Sequence, residues 1–300
     1  MTAPLSGVHC AVATPVTADG TIATGLFLDH CRALLEEGCH GLAPLGTTGE
    51  ASNFGLSERM GLLDAMAEGG IDPGTLIPGT GALSVPDTVS LTAHAVRAGV
   101  KGALILPPFY YKQPDDEGLF RFYARVIEGV GDDRLRLVLY HIPQMSVVPI
   151  SHELIDRLVG AFPGIVSGIK DSSGDLANMQ AMCARFPGLA VFSGADPLML
   201  PVLQAGGAGC ITAASNVAAR PLRAVWDHWQ DPARTADVDA AQQEIAAWRS
   251  LSTSHAQIPT TKAMIGRLRG DATWNHLRPP FVELTDAERD QVFTGMAALA

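Results

Sequence analysis

GIVSGIKDSSGD, residues 164–175, reads as a short buried strand running into a turn of small polar residues. Ile165, Val166 and Ile169 supply the apolar side chains, and the strand delivers a single lysine, Lys170, to its end. An ammonium group in an apolar strand is costly, because burial disfavours the charged form and pulls its pKa down. The same effect makes the amine a nucleophile near neutral pH, able to condense with a carbonyl as a Schiff base. Taken alone, the stretch equally allows a strand-end lysine snorkelling to solvent from an ordinary barrel or sheet. The surrounding chain has to decide between the two.

On both sides of this stretch the same pattern repeats, a short β-branched run followed by an amphipathic helical segment. Upstream stand VHCAVATPV (8–16), GLAPLG (41–46), TLIPGTG (75–81), GALILPP (102–108) and RLVLYHIP (136–143); downstream stand LAVFSGAD (189–196) and AGCITAAS (208–215). Between them the spacing predicts helices over Thr24–Glu37, from a Ser57 cap to Glu68, and from a Ser84/Asp87 capping box to Arg97. Two more are predicted to open at Asp115/Asp116 and to run from Ser151 to Val159. Eight strand–helix units over roughly 230 residues match an α/β fold of the (β/α)8 barrel type. An open doubly wound sheet fits less well, since no glycine-rich dinucleotide fingerprint is present. Beyond Arg220 only helical patterns remain, over 221–231, 235–251 and 259–269, with a last helix opened by a Thr285/Glu288 capping box. The expected division is a barrel over residues 1–230 and a C-terminal helical bundle over 231–300, packed on the barrel or on a second subunit.

Composition narrows the function. With 47% hydrophobic and 17% charged residues, the chain is that of a compact enzyme rather than a disordered or fibrous protein. A net charge of −10 without any basic run argues against nucleic acid or an anionic membrane as partner. The cysteines at 10, 31, 39, 183 and 210 are scattered and odd in number, which suits packing roles in a reducing compartment. No basic region followed by an apolar stretch opens the chain, and no apolar run nears a membrane span of about 20 residues, so a cytoplasmic location is expected. The histidines form no HExxH or Cys/His cluster, and no phosphate loop is visible; neither metal nor cofactor is expected.

In such barrels the C-terminal strand ends carry the chemistry. This chain places Gly46-Thr47-Thr48-Gly49-Glu50, Phe109-Tyr110-Tyr111, Tyr140-His141-Ile142-Pro143, Lys170-Asp171-Ser172, Gly194 with Asp196, and Ile211 at or beside those ends. A lysine that attacks, a phenol that moves protons, and hydroxyls with turn amides that hold a carboxylate make a kit for carbonyl chemistry. Each part also has a plainer role. The threonines can satisfy a turn, Tyr140 can be a core tyrosine, and Tyr110 and Tyr111 can pack at an interface. Asp196 can cap a helix, Glu50 can hold backbone amides, and His141 can be core or pocket-lining. Their joint placement on one end of consecutive strands favours a site.

PLGTTGE (44–50), PPFYY (107–111), YHIP (140–143) and GIKDSSGD (168–175), in this order and spacing, resemble the dihydrodipicolinate synthase/N-acetylneuraminate lyase family. The resemblance covers essentially the whole chain and implies class I chemistry on a 2-keto acid, usually pyruvate, with the lysine imine in place of any cofactor. It implies that Lys170 forms the Schiff base and Tyr140 shuttles protons. Thr47 and Thr48 would bind the carboxylate, Thr48 also relaying protons. Tyr110 is similar to a tyrosine that crosses a subunit interface in the synthases, and family members are commonly homotetramers. Gly46, Ser172, Gly194, Asp196 and Ile211 complete the implied substrate pocket.

Two departures bear on the substrate. Synthases carry an arginine five residues after the strand-five tyrosine; here that position is Met145, which cannot pair with a second carboxylate. Sialic acid lyases use Asp-Glu after the strand-seven glycine and a serine in the next loop, whereas this chain has Asp196-Pro197 and Ala213. The remaining expectation is an aldolase or lyase acting on a 2-keto-3-deoxy sugar acid or similar 2-keto acid, with pyruvate and an aldehyde as products. A 2-keto-3-deoxy acid dehydratase, a dihydrodipicolinate synthase and a non-catalytic keto-acid-binding barrel are the alternatives.

Overall fold

The computed structural model describes residues 5–299. Seven parallel strands form one curled sheet: β1 (Gly7–Cys10), β2 (Gly41–Leu42), β3 (Ala103–Ile105), β4 (Leu137–His141), β5 (Val166–Asp171), β6 (Ala190–Ser193) and β7 (Gly209–Thr212). Their order is β2-β1-β7-β6-β5-β4-β3. The predicted strand at 75–81 closes the ring as bridges rather than as a continuous strand. Leu42 pairs with Leu76, and Gly79 with Leu104, both in parallel. Pro78 between them has no N–H to give the ladder. The seam still holds, with Ile77 N–H on the Leu42 carbonyl at 2.8 Å and Leu104 N–H on the Pro78 carbonyl at 2.9 Å. The fold is therefore a (β/α)8 barrel with C-terminal helices.

Alternation along the strands sorts side chains between the barrel interior and the helices outside. Val138 and Tyr140 of β4 join Ile77, Leu104, Phe192 and Ile211 in the interior cluster. Leu137 and Leu139 face outward into the layer that holds Val126, Leu154 and Met179. On β5 the alternation breaks. Leu137 pairs with Val166 but Val138 pairs with Gly168, so Ser167 is one extra residue, and the register then runs on to Tyr140 opposite Lys170. Val166 and Ile169 both lie in the outer layer as a result. Without the slip, Lys170 would face the helices; with it, Lys170 points inside.

The helices follow the predicted spacing with two local corrections. The helix expected to be capped by Ser57 starts at Leu56, and the cap is Gly55, whose N–H donates to Glu58 Oε2 at 2.9 Å. The helix expected over 221–231 begins at Ser215 and ends at His228; it continues through Pro221 by breaking its backbone at Ala218. Ser84 accepts from Asp87 N–H without the reciprocal half of the expected box, Asp115 and Ser151 cap the helices expected to open there, and the Thr285/Glu288 box forms. Three further helices, Thr235–Ser252, Gln257–Arg269 and Asp286–Leu299, complete the chain. They share the barrel's own packing. Val238, Ala241 and Ile245 sit in one cluster with Phe27, Leu34 and Leu222, while Ile265 and Trp274 meet Ala13.

Candidate active site

Lys170 is buried, at 4% exposure, and its Nζ lies 4.2 Å from the centroid of the Tyr140 ring. Burial opposes ionisation of the Tyr140 phenol. The Lys170 charge and polar contacts with Thr47, Lys170 and Ser172 outweigh it and hold the phenol below its ordinary pKa. Thr47 Oγ1 lies within hydrogen-bond distance of the phenol, at 3.2 Å. The resemblance gives the relay to Thr48, which is buried; the contact at the phenol is made by its neighbour Thr47.

The threonines stand in a loop forced into place from both ends. Leu45 (φ 59°) and Glu50 (φ 55°) are both left-handed without being glycine, a conformation that needs support from its surroundings. Gly79 provides part of that support by letting the Leu45 carbonyl approach; a Cβ there would sit 2.1 Å from the Leu45 oxygen. Thr14 Oγ1 donates to the Gly49 carbonyl at 2.9 Å. Glu50 does not hold backbone amides, as sequence reasoning suggested. Its Oε1 accepts from Lys262 Nζ at 2.9 Å, both side chains fully buried, and its Oε2 accepts from Asn53 Nδ2 at 3.3 Å. Burial pulls the Lys262 pKa down against the opposing pull of Glu50. Sequence reasoning missed Lys262; its signal was a lone lysine among small and apolar residues in PTTKAMIG (259–266).

The turn after Lys170 is equally fixed. Asp171 accepts from Ser173 N–H at 2.8 Å and from Asn178 Nδ2 at 2.7 Å. Ser172 N–H reaches the His141 carbonyl at 2.8 Å, and Gly194 N–H the Asp171 carbonyl at 2.6 Å. Gly194 has to be glycine because a Cβ would meet Ser172 Oγ at 2.0 Å. His141 is a supporting residue, its Nδ1 accepting from Ile150 N–H at 3.1 Å. Asp196 is no helix cap; it is fully buried, accepting from Ala214 N–H at 3.1 Å with Arg249 Nη1 at 3.5 Å. Burial raises its pKa, partly offset by Arg249. Ile211 lies in the interior cluster with Tyr140.

A cavity of about 190 Å³ opens beside Tyr140, lined by Gly46 and Thr47 and walled by Leu106, Phe109, Ile142, Met145, Ile258 and Phe281. Tyr110 is not part of it. Within one chain it is 70% exposed, stacked edge-on against Tyr111 with ring centroids 5.2 Å apart, and Phe109 takes the inward position. Among the described residues, no group of three or more His, Cys, Asp or Glu side chains is placed to hold a metal ion. All five cysteines are buried free thiols.

Amine-based activation of a ketone at the mouth of a (β/α)8 barrel is the chemistry of class I carbon–carbon lyases, and this chain falls in that class. Residues 4–298 match the profile of the dihydrodipicolinate synthetase family. A DapA-like lyase of Chloroflexus aurantiacus, itself uncharacterized, is 35% identical over 94% of this chain and 93% of its own length. The dihydrodipicolinate synthase of Agrobacterium tumefaciens superposes with a TM-score of 0.87 at 30% identity, covering 98% and 99% of the two chains. YagE, a prophage protein of E. coli K12 solved in complex with pyruvate, gives 0.90 at 25% identity over 99% of each chain. The chain belongs to the dihydrodipicolinate synthetase family.

Proposed function

We propose that this lyase cleaves a 4-hydroxy-2-keto acid by a retro-aldol reaction, releasing pyruvate and an aldehyde, and can run the condensation in reverse. The observation that carries the reading is the Lys170 amine 4.2 Å from the ring of Tyr140, whose hydroxyl lies 3.2 Å from Thr47. The pyruvate bound to the E. coli relative supports pyruvate as the keto-acid half.

The Lys170 amine adds to C2, and loss of water leaves an iminium that withdraws electrons. Tyr140, with Thr47 as relay, takes the proton of the C4 hydroxyl. The C3–C4 bond breaks, its electrons pass to the iminium as an enamine, and the aldehyde departs. Protonation at C3 gives the pyruvate imine, and water releases pyruvate and the free lysine. The amides and hydroxyls of Gly46, Thr47 and Thr48 hold the C1 carboxylate. The lysine is the electron sink, so no other cofactor takes part.

Dihydrodipicolinate synthesis fits less well, because Met145 is 61% exposed at the cavity wall and offers no charge to a second carboxylate. We further infer that the chain works as a homotetramer in the cytoplasm. The exposed pair Tyr110 and Tyr111 supports a contact between copies, and five free thiols support a reducing compartment. Among the described residues no helix is long and apolar enough to cross a membrane.

Intact mass after borohydride treatment with pyruvate tests the proposal. A pyruvyl adduct on wild type, absent from Lys170→Ala, is the expected result. An adduct retained by Lys170→Ala, or none on wild type, overturns it.

A further inference from the structure

The cavity beside Tyr140 holds more information than the keto-acid half needs. Beyond Gly46 and Thr47, its wall is carried by Leu106, Phe109, Ile142, Met145, Ile258 and Phe281. No lysine, arginine or histidine lines it. The neighbouring cation, Lys112, is turned to backbone, its ammonium donating to the Phe109 carbonyl and, at 3.3 Å, to that of Ser146.

Most of the polar side chains in the wall are already engaged, the Asn53 amide oxygen and the Ser52 hydroxyl being the exceptions. Glu50 is paired with Lys262 at 2.9 Å, and Asn53 donates to Glu50 at 3.3 Å. Ser146 Oγ bonds the Ile142 carbonyl at 3.1 Å and the Val148 carbonyl at 3.0 Å. Thr47 faces Tyr140. Ser52 is the remaining hydroxyl in the wall. A polyhydroxylated chain seated here would leave hydroxyl after hydroxyl facing carbon, each losing water without a replacement bond. A carboxylate would fare worse, with no countercharge.

We propose that the aldehyde half of the substrate is apolar, an aromatic or branched aliphatic group rather than a polyol or a second carboxylate. The inference rests on the pyruvate-lyase reading and departs from the sugar-acid expectation drawn from sequence. In the condensing direction, the enamine carbon C3 of the Lys170-bound pyruvate attacks the aldehyde carbon. The aldehyde oxygen takes a proton from Tyr140, and hydrolysis frees a 4-hydroxy-2-keto acid. Leu106, Ile142, Ile258 and Phe281 would then surround the group carried on C4.

The test measures condensation of pyruvate with benzaldehyde, 3-methylbutanal, glyceraldehyde and succinic semialdehyde on the wild-type protein, alongside borohydride trapping of pyruvate alone. The expected result is a pyruvyl adduct, with kcat/KM for the two apolar aldehydes about ten-fold or more above that for the other two. Phe281→Asn should narrow this ratio while the pyruvyl adduct still forms. An adduct with glyceraldehyde or succinic semialdehyde preferred, or with no turnover of either apolar aldehyde, overturns the apolar subsite and leaves the lyase standing. Absence of the adduct overturns both.

Discussion

Lys262 Nζ lies 2.9 Å from Glu50 Oε1, and neither side chain has any solvent exposure. The two residues are 212 positions apart, and the pair joins the helix Gln257–Arg269 to the left-handed end of the threonine loop. A buried charge left without its partner is costly, about 3–5 kcal/mol where one member of a pair is removed. Lys262→Met should therefore lower the melting temperature strongly. The Lys262→Met/Glu50→Leu double variant should recover stability, since apolar replacement of a whole pair is often neutral. It should still show a raised KM for pyruvate, because the loop bearing Thr47 has lost its tie. Calorimetry and steady-state kinetics on the same samples separate the two effects; an unchanged KM would show that the loop holds its shape without the pair.

The phenol of Tyr140 makes a kinetic prediction. Tyr140→Phe should still bind pyruvate while turnover falls by about 10²–10⁴. Contact with Thr47 is one of the forces holding the phenol below its ordinary pKa. In the condensing direction, where the phenol donates its proton to the aldehyde oxygen, Thr47→Val should therefore move the alkaline limb of the pH–rate profile upward. A limb that stays in place would mean that another group sets it.

Gly194 tests the turn beside the lysine. An added Cβ would meet Ser172 Oγ at 2.0 Å and Ser172 Cα at 2.8 Å, so backbone has to move. Displacing the segment that follows Lys170 by about an ångström is expected to slow adduct formation by about 10²-fold. Rapid-quench borohydride trapping of Gly194→Ala against wild type measures this directly.

Two buried histidines predict the response to acid. Burial lowers His9 to about 3 and His30 to about 4, the latter against the raising effect of its hydrogen bond to Asn216 Oδ1. The unfolded chain takes up these protons near pH 6.5 while the folded one does not. Stability should therefore be full above that value and fall as pH drops toward the folded values. Between pH 7 and 5 the loss is about 2 kcal/mol for each histidine. Urea unfolding at the two pH values, on wild type and His30→Gln, checks it. The variant should lose about half of the dependence assigned to the pair.

Much of this was legible in order along the chain. Apolar runs at regular spacing give the barrel because each parallel strand is covered on both faces and needs little else to declare itself. The third run is the instructive case: its apolar pattern is right, but Pro78 withholds a hydrogen bond, and the segment pairs only through isolated bridges. Lys170 and Tyr140 could be read locally because each sits at the end of its own strand, and the threonine pair because it lies in the loop that follows the second apolar run. The direction of Asp196, the outward turn of Tyr110 and the role of Glu50 could not, since each depends on what packs against it from a distant segment.

The sequence by itself determined the class of fold, the starts of several helices, and the set of chemically able residues gathered at one end of the barrel. These rest on periodicity and on short-range hydrogen bonding, which act between neighbours in the chain. The tertiary structure alone decided which way that chemistry points. The one-residue slip at Ser167 turns Lys170 to the interior, and Lys262 reaches Glu50 to hold the threonine loop. A strand's facing is set by register against its partner, and a buried charge by the countercharge that meets it; both are properties of the folded whole.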